Sequence, residues 1–132
     1  MLLLAPTTSH AQRYFFENVA VRDGLPASKV YALLQDSTGL LWIGTESGLA
    51  SYDGLKVKAY GTGDHLAPNG ARSIFQDSRQ RLWVGHLGGG ISLRDGNGFR
   101  AVQLDGIKSE HDITAIAQDS QGAIWLATFG DG

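Results

Sequence analysis

The chain has 132 residues, of which 42% are hydrophobic and 18% charged, enough apolar material for one packed domain and too much for intrinsic disorder. Eleven Lys and Arg against thirteen Asp and Glu leave a net charge of -2. No basic stripe exists to neutralise a phosphate backbone, which argues against nucleic acid as a partner, and the absence of cysteine excludes disulfide frameworks, cysteine zinc sites and thiol catalysis. Eighteen glycines, about twice the usual share, are spread through the chain, and many turns in a short chain imply short β-strands.

The first residues run Met1-Leu2-Leu3-Leu4-Ala5-Pro6 and then Thr7-Thr8-Ser9-His10-Ala11-Gln12. Ser9 and Ala11 are small residues two apart, the pattern that a signal peptidase reads before cutting. The apolar run is short and lacks a basic segment ahead of it, so residues 1–11 read as the trimmed tail of a signal peptide whose start lies upstream. No stretch approaches the roughly 20 apolar residues that cross a bilayer.

From residue 30 onward the sequence repeats. Gln35-Asp36-Ser37 recurs as Gln76-Asp77-Ser78 and Gln118-Asp119-Ser120, and the tryptophans keep step at Trp42, Trp83 and Trp125. Leu41-Trp42-Ile43-Gly44-Thr45 answers Leu82-Trp83-Val84-Gly85-His86 and Ile124-Trp125-Leu126-Ala127-Thr128. Each period reads as four strands, in the first copy about Val30 to Gln35, Leu40 to Thr45, Leu49 to Tyr52 and Val57 to Tyr60. Asp36-Ser37-Thr38-Gly39 is hairpin chemistry: the carboxylate accepts from backbone amides and Gly39, like Gly122, supplies the positive φ that closes the turn. Gln80 stands at that position in the second copy, which predicts a strained or differently shaped turn. Gly44 and Gly85 sit inside strands, where a missing Cβ lets a neighbour approach, most simply an indole from the adjacent sheet.

Four short antiparallel strands per roughly 40 residues describe a propeller blade, whose two buried faces explain apolar runs without clean alternation. The fold class is therefore all-β: a partial β-propeller of about two and a half four-stranded antiparallel blades, near 30–60, 71–102 and 113–132, the last incomplete. The domain plan is residues 1–11 as leader and 12–132 as propeller repeats. Closed propellers take four to eight blades, so the chain is expected to leave open edges at both ends. The stretch Tyr14 to Val21 resembles the fourth-strand stretch Phe99-Arg100-Ala101-Val102 and would supply the outer strand of a last blade in a closed ring.

Candidate chemistry is sparse. The three Asp-Ser pairs repeat at one structural position, which favours turn formation over paired carboxylates or a metal site. The three tryptophans could stack on sugars, but each lies among aliphatics where packing between blades is the simpler role. His10, His65, His86 and His111 share no metal-ligand spacing. Among them His86 stands out, replacing the repeat's Thr just before Gly88-Gly89-Gly90, where a loop could approach a ligand, although a packed or surface histidine is the simpler expectation. The glycine triplet precedes no helix and so is no nucleotide cradle. No catalytic, cofactor-binding or metal-binding residue is assigned, and the ligand-binding residues stay unknown at this stage.

Gly24-Leu25-Pro26, Val30 to Ser37, Gly39, Leu41 to Thr45, Gly48-Leu49 and Tyr52-Asp53-Gly54 resemble the two-component regulator propeller repeat, over roughly residues 13 to 132. The resemblance implies a periplasmic sensor region of a membrane-anchored bacterial histidine kinase, with a small-molecule or glycan ligand, no cofactor, and further blades and an output domain as partners. It also allows for a dimer in the parent protein. On this reading the 132 residues are not an enzyme, although the parent is a candidate histidine kinase. Alternatives are the sensor region of a diguanylate cyclase, a propeller interaction scaffold, or a propeller lyase or hydrolase, which would need inner-strand His, Glu or metal ligands where this chain offers mostly aliphatics.

Overall fold

The computed structural model describes residues 16–106 and 110–130. The leader reading of residues 1–11, with His10, lies outside these residues, as do Tyr14, Phe15, Asp131 and Gly132. Ten strands form three antiparallel sheets in simple up-and-down order. The first blade is β1 (Val30–Gln35), β2 (Leu41–Thr45), β3 (Gly48–Tyr52) and β4 (Val57–Tyr60). The second is β5 (Ala71–Gln76), β6 (Leu82–His86), β7 (Ile91–Asp95) and β8 (Gly98–Val102), and the third is β9 (Ile113–Gln118) paired with β10 (Ile124–Thr128). Among the first strands β5 packs against both β1 and β9, so the sheets fan out from a shared inner edge as propeller blades do. The expected all-β partial propeller is the fold.

The turn after each inner strand is held by one aspartate. Asp36 Oδ1 accepts the amides of Thr38 at 2.9 Å and Leu40 at 3.1 Å, while its Oδ2 accepts Trp42 Nε1 at 2.8 Å. Asp77 treats Arg79, Arg81 and Trp83 in the same way, and Asp119 does so with Gln121, Ala123 and Trp125. Burial works to raise the carboxyl pKa of Asp36 and Asp77, but the donors outweigh it and hold both below the usual carboxylate range. Asp119 is also lowered, chiefly by the indole of Trp125. Each carboxylate thus stays ionised and joins the hairpin turn to the middle of the next strand.

The turn at Gln80 corrects half of an expectation. Its backbone takes φ 62°, beside 90° at Gly39 and 88° at Gly122, and its amide donates to Asp77 O at 2.9 Å as Gly39 does to Asp36 O. The shape is unchanged and the strain falls on a residue with a Cβ. The four hydrogen bonds that Asp77 makes with Arg79, Arg81 and Trp83 hold it there.

Blades lock to each other through the glutamine of the repeat. Ser37 N donates to Gln76 Oε1 at 2.9 Å, and Ser78 N donates to Gln118 Oε1 at 2.9 Å. Each glutamine also donates to the closing residue of its own turn, at 3.2 to 3.3 Å. The strand glycines admit the next blade, and here the expected indole is wrong. A Cβ on Gly44 would sit 2.7 Å from Ala71 O, and one on Gly85 would collide with Ser73 Oγ and Ile113. The neighbour is the inner strand of the following blade, because inner strands converge most closely, whereas the indoles lie further out.

Trp42 shows where they lie. It is fully buried between blades one and two with Leu49, Leu66, Leu82, Val84 and Phe99, in ring contact with Tyr60 at 5.4 Å and Phe99 at 6.1 Å. The guanidinium of Arg94 stacks 5.0 Å from its ring, which accounts for a buried Nε that has no hydrogen-bond partner. Trp83 is half-buried, and Trp125 is 64% exposed. The opposite face of blade one leaves Leu33 63% exposed. The open surfaces at the two ends are therefore sheet faces. Residues 16–20 form no strand; Val19 instead packs on Leu25, Ile43 and Ala50, and Tyr52 Oη donates to Glu17 Oε1 at 2.7 Å.

Equal positions in the repeat thus have unequal energetic roles. Trp42→Ala should cost about 3–5 kcal/mol, Trp83→Ala less, and Trp125→Ala under about 1 kcal/mol. Urea unfolding of the three variants measures this, and equal losses would show that burial between blades does not set the cost.

Candidate functional site

The two ends of the blades differ in how strictly the repeat is kept. The end that carries the Asp turns repeats one set of bonds in all three copies, from two turn amides and an indole to the Asp carboxylate and from the Gln side chain to the turn's closing carbonyl. The opposite end is made of the segments entering β1, β5 and β9 and the turns after β2, β6 and β10. There one backbone bond recurs: Glu46 N to Lys29 O, Leu87 N to Gly70 O and Phe129 N to Asp112 O, at 2.9 to 3.0 Å. The side chains around that bond change from blade to blade. Lys29, Gly70 and Asp112 share a position, as do Thr45, His86 and Thr128, and likewise Tyr31, Arg72 and Thr114. A frame that is constant at one end and variable at the other separates scaffold from candidate site.

A recess lies at this end beside Gly70. Between blades two and three, Asp112 Oδ1 accepts Gly88 N at 2.7 Å and fills the seam. Between blades one and two the corresponding residue has no side chain, and a Cβ there would fall on Glu46 O. Ser47 N turns instead to Thr45 Oγ1 at 3.3 Å. Next to this close approach of the two backbones is a cavity of about 500 Å³, open to solvent and lined by Glu46, Ser47, Pro68, Asn69, Gly70, Leu87 and Gly88. Its lining mixes polar residues (Glu46, Ser47 and Asn69) with apolar ones (Pro68 and Leu87), a combination that can hydrogen-bond a small polar ligand.

His86 lies beneath this recess and does not face it. Its side chain is fully buried, Nδ1 donates to Asn69 O at 3.0 Å, and Nε2 and Ser92 Oγ share a hydrogen bond at 2.8 Å. Ser92 Oγ also accepts Ala67 N at 3.1 Å, which ties the ring to the segment ahead of Asn69. Burial lowers the imidazole pKa, against the pull of the Asn69 and Gly70 backbone. His86 therefore props the Pro68–Asn69 rim from below. Gly88, Gly89 and Gly90 all take positive φ, and Asp112 ties their loop to blade three. His65 is exposed in a left-handed cap and His111 sits beside Gly130, so the described histidines do not converge. Among the described residues no group of three or more His, Asp or Glu could hold a metal ion.

The second feature of this end is a repeated bulge. Pairing skips from Val30 to Ala32, from Ala71 to Ser73 and from Ile113 to Ala115, so Tyr31, Arg72 and Thr114 are each an extra residue on the inner strand. The Arg72 guanidinium lies 5.0 Å from the Tyr31 ring centre and Lys29 Nζ 5.3 Å from it. The Tyr31 hydroxyl and then Glu46 raise the Lys29 pKa, while the nearby charge of Arg72 works against them. Sequence reasoning missed Glu46, Asn69, Gly70 and Asp112, and also the bulge residues. The aligned 41- and 42-residue periods held the signal for Lys29, Gly70 and Asp112, but a bulge leaves no mark in composition.

The buried imidazole gives a pH dependence of known sign. Its pKa is below the unfolded value of 6.5, so the unfolded chain binds the extra proton first. Stability should fall as pH drops through 6.5 and level off below the folded pKa. Urea midpoints at pH 7.5 and 5.5 should differ for the native chain, and His86→Thr, which restores the repeat's residue, should remove most of that difference. An unchanged difference in the variant would assign the titration elsewhere.

Three segments, residues 24–47, 65–88 and 106–130, match the two component regulator propeller family and together make up more than half of the chain. Each match runs from the loop before an inner strand to the turn after the second, the stretch that carries turn, lock and recess. No curated protein matches the chain. Among solved structures, the extracellular domain assigned to the hybrid two component system BT3049 from B. thetaiotaomicron is 22% identical with a TM-score of 0.73, covering 88% of this chain and 17% of that one. The corresponding domain of BT4673 from the same organism is 21% identical with a TM-score of 0.67, covering 81% of this chain and 15% of that one. This chain thus spans about a sixth of the length of those domains, and at such identity the likeness establishes the fold. By its three repeat matches, the chain belongs to the two component regulator propeller family.

Proposed function

We propose that these blades are a ligand-sensing segment of the extracytoplasmic, membrane-anchored sensor region of a bacterial signal-transduction protein, with a histidine kinase as the output. The observation that carries this reading is the recess between blades one and two, cut into the variable end of an otherwise repeated frame. Family membership and the extracellular origin of the similar structures support it. The ligand is a small polar molecule, most simply a glycan fragment, and the partners are the further blades and the output domain of the parent. No catalytic step is assigned to these residues.

The mechanism is a population shift. A ligand seated in the recess bridges Glu46 and Ser47 of blade one to Asn69, Gly70 and Leu87 of blade two. It acts only as far as it prefers one arrangement of the two blades over another. The Gln76–Ser37 lock at the far end keeps the blades joined while the recess end adjusts.

Thermal unfolding of the chain against a panel of neutral and acidic oligosaccharides tests this reading. At least one member should raise Tm saturably, and Ser47→Tyr, which fills the recess, should abolish the rise. A flat response across the panel, or a rise indifferent to Ser47→Tyr, would contradict it.

A further inference from the structure

The bulges place one side chain per blade at the converging inner edges, and in blades one and two those side chains meet. The Tyr31 ring has Arg72 at 5.0 Å and Lys29 at 5.3 Å, so two cations and one aromatic share a single spot. Their charges are poorly compensated. The one carboxylate within ion-pair distance is Glu46, which reaches Lys29 at 3.9 Å with both side chains more than half exposed, a contact worth little. Among the described residues no carboxylate lies within ion-pair distance of Arg72. Its guanidinium makes a cation–π contact with the Tyr31 ring, which uses none of its hydrogen-bond donors. A repeated bulge is a built feature that re-aims a side chain, and Arg72 stands where blade three has an uncharged Thr114 that bonds its own sheet, Oγ1 to Ala127 O at 3.2 Å.

We infer that Lys29, Tyr31 and Arg72 form an oxyanion site that binds a carboxylate, sulfate or phosphate group. The anion sits between the ammonium and the guanidinium, relieves their mutual repulsion and takes paired N–H donors from the Arg72 fork. Glu46 belongs to both this site and the recess, so an anionic group held here displaces the weak Lys29–Glu46 pair and frees the Glu46 carboxylate at the recess wall. The site rests on the ligand-sensing reading only for the identity of the molecule that carries the anion.

The test is titration of the full chain with inorganic sulfate at constant ionic strength, followed by the NMR signals of the arginine Nε–H groups. The Arg72 signal should shift saturably. Arg72→Gln should weaken binding on the order of tenfold or more, Lys29→Gln should weaken it as well, and Arg100→Gln on the exposed face of β8 should leave it unchanged. A shift that never saturates, or that spreads equally over the exposed arginines, would overturn the site, as would Arg72 and Lys29 variants that bind as tightly as the native chain. Phosphate and acetate titrations distinguish the anions. Sulfate binding with a flat oligosaccharide response would keep the site and remove the glycan reading. A saccharide response indifferent to Arg72→Gln would do the reverse.

Discussion

The bond from the turn aspartate to the indole six residues on is the constraint on which the rest depends. One carboxylate does two jobs through its two oxygens. Oδ1 closes the hairpin by accepting two turn amides, and Oδ2 accepts the indole N–H, which fixes the tryptophan rotamer. An indole pinned in this way projects from its sheet at a constant place, so every blade offers the next one the same surface. The hydrogen bonds go to a charged acceptor, which makes them stronger than neutral ones.

From that surface the stacking follows. Gly44 and Gly85 let the inner strand of the following blade approach to van der Waals contact, and the glutamine of that blade then reaches the serine amide of the turn behind it. Apolar burial supplies the attraction and the glutamine sets the register. The gradient from buried Trp42 through half-buried Trp83 to exposed Trp125 is what such nearest-neighbour stacking produces at its end. Ala127 at the third glycine position fits the same view, since no described blade lies against it.

Much of this frame was legible in the sequence because its causes are local. The Gln-Asp-Ser triplet, the tryptophan period and the turn residues placed β1 and β4 correctly and β2 and β3 to within one residue. Contacts that depend on three-dimensional placement were harder to read. Whether Asp36 uses its second oxygen on Trp42 depends on a rotamer across a hairpin, and what lies over Gly44 depends on how blades converge. His86 reads most simply as a packed or surface histidine, and it is packed, held beneath the rim by Ser92 and the Asn69 carbonyl, partners that its position in the repeat does not announce. The bulges at Tyr31, Arg72 and Thr114 are departures from pairing that no residue type announces. Variation among the three copies, read at matched positions such as Lys29, Gly70 and Asp112, proved the better guide to function than any single motif.

A double-mutant cycle between Asp36 and Trp42, using Asp36→Asn and Trp42→Phe and read by urea unfolding, tests the central constraint most directly. The bond to an ionised, part-buried acceptor predicts a coupling of about 1.5–3 kcal/mol. Losses that add to within about 0.5 kcal/mol would mean that turn and indole act independently, and the account of how one blade presents its face to the next would fail.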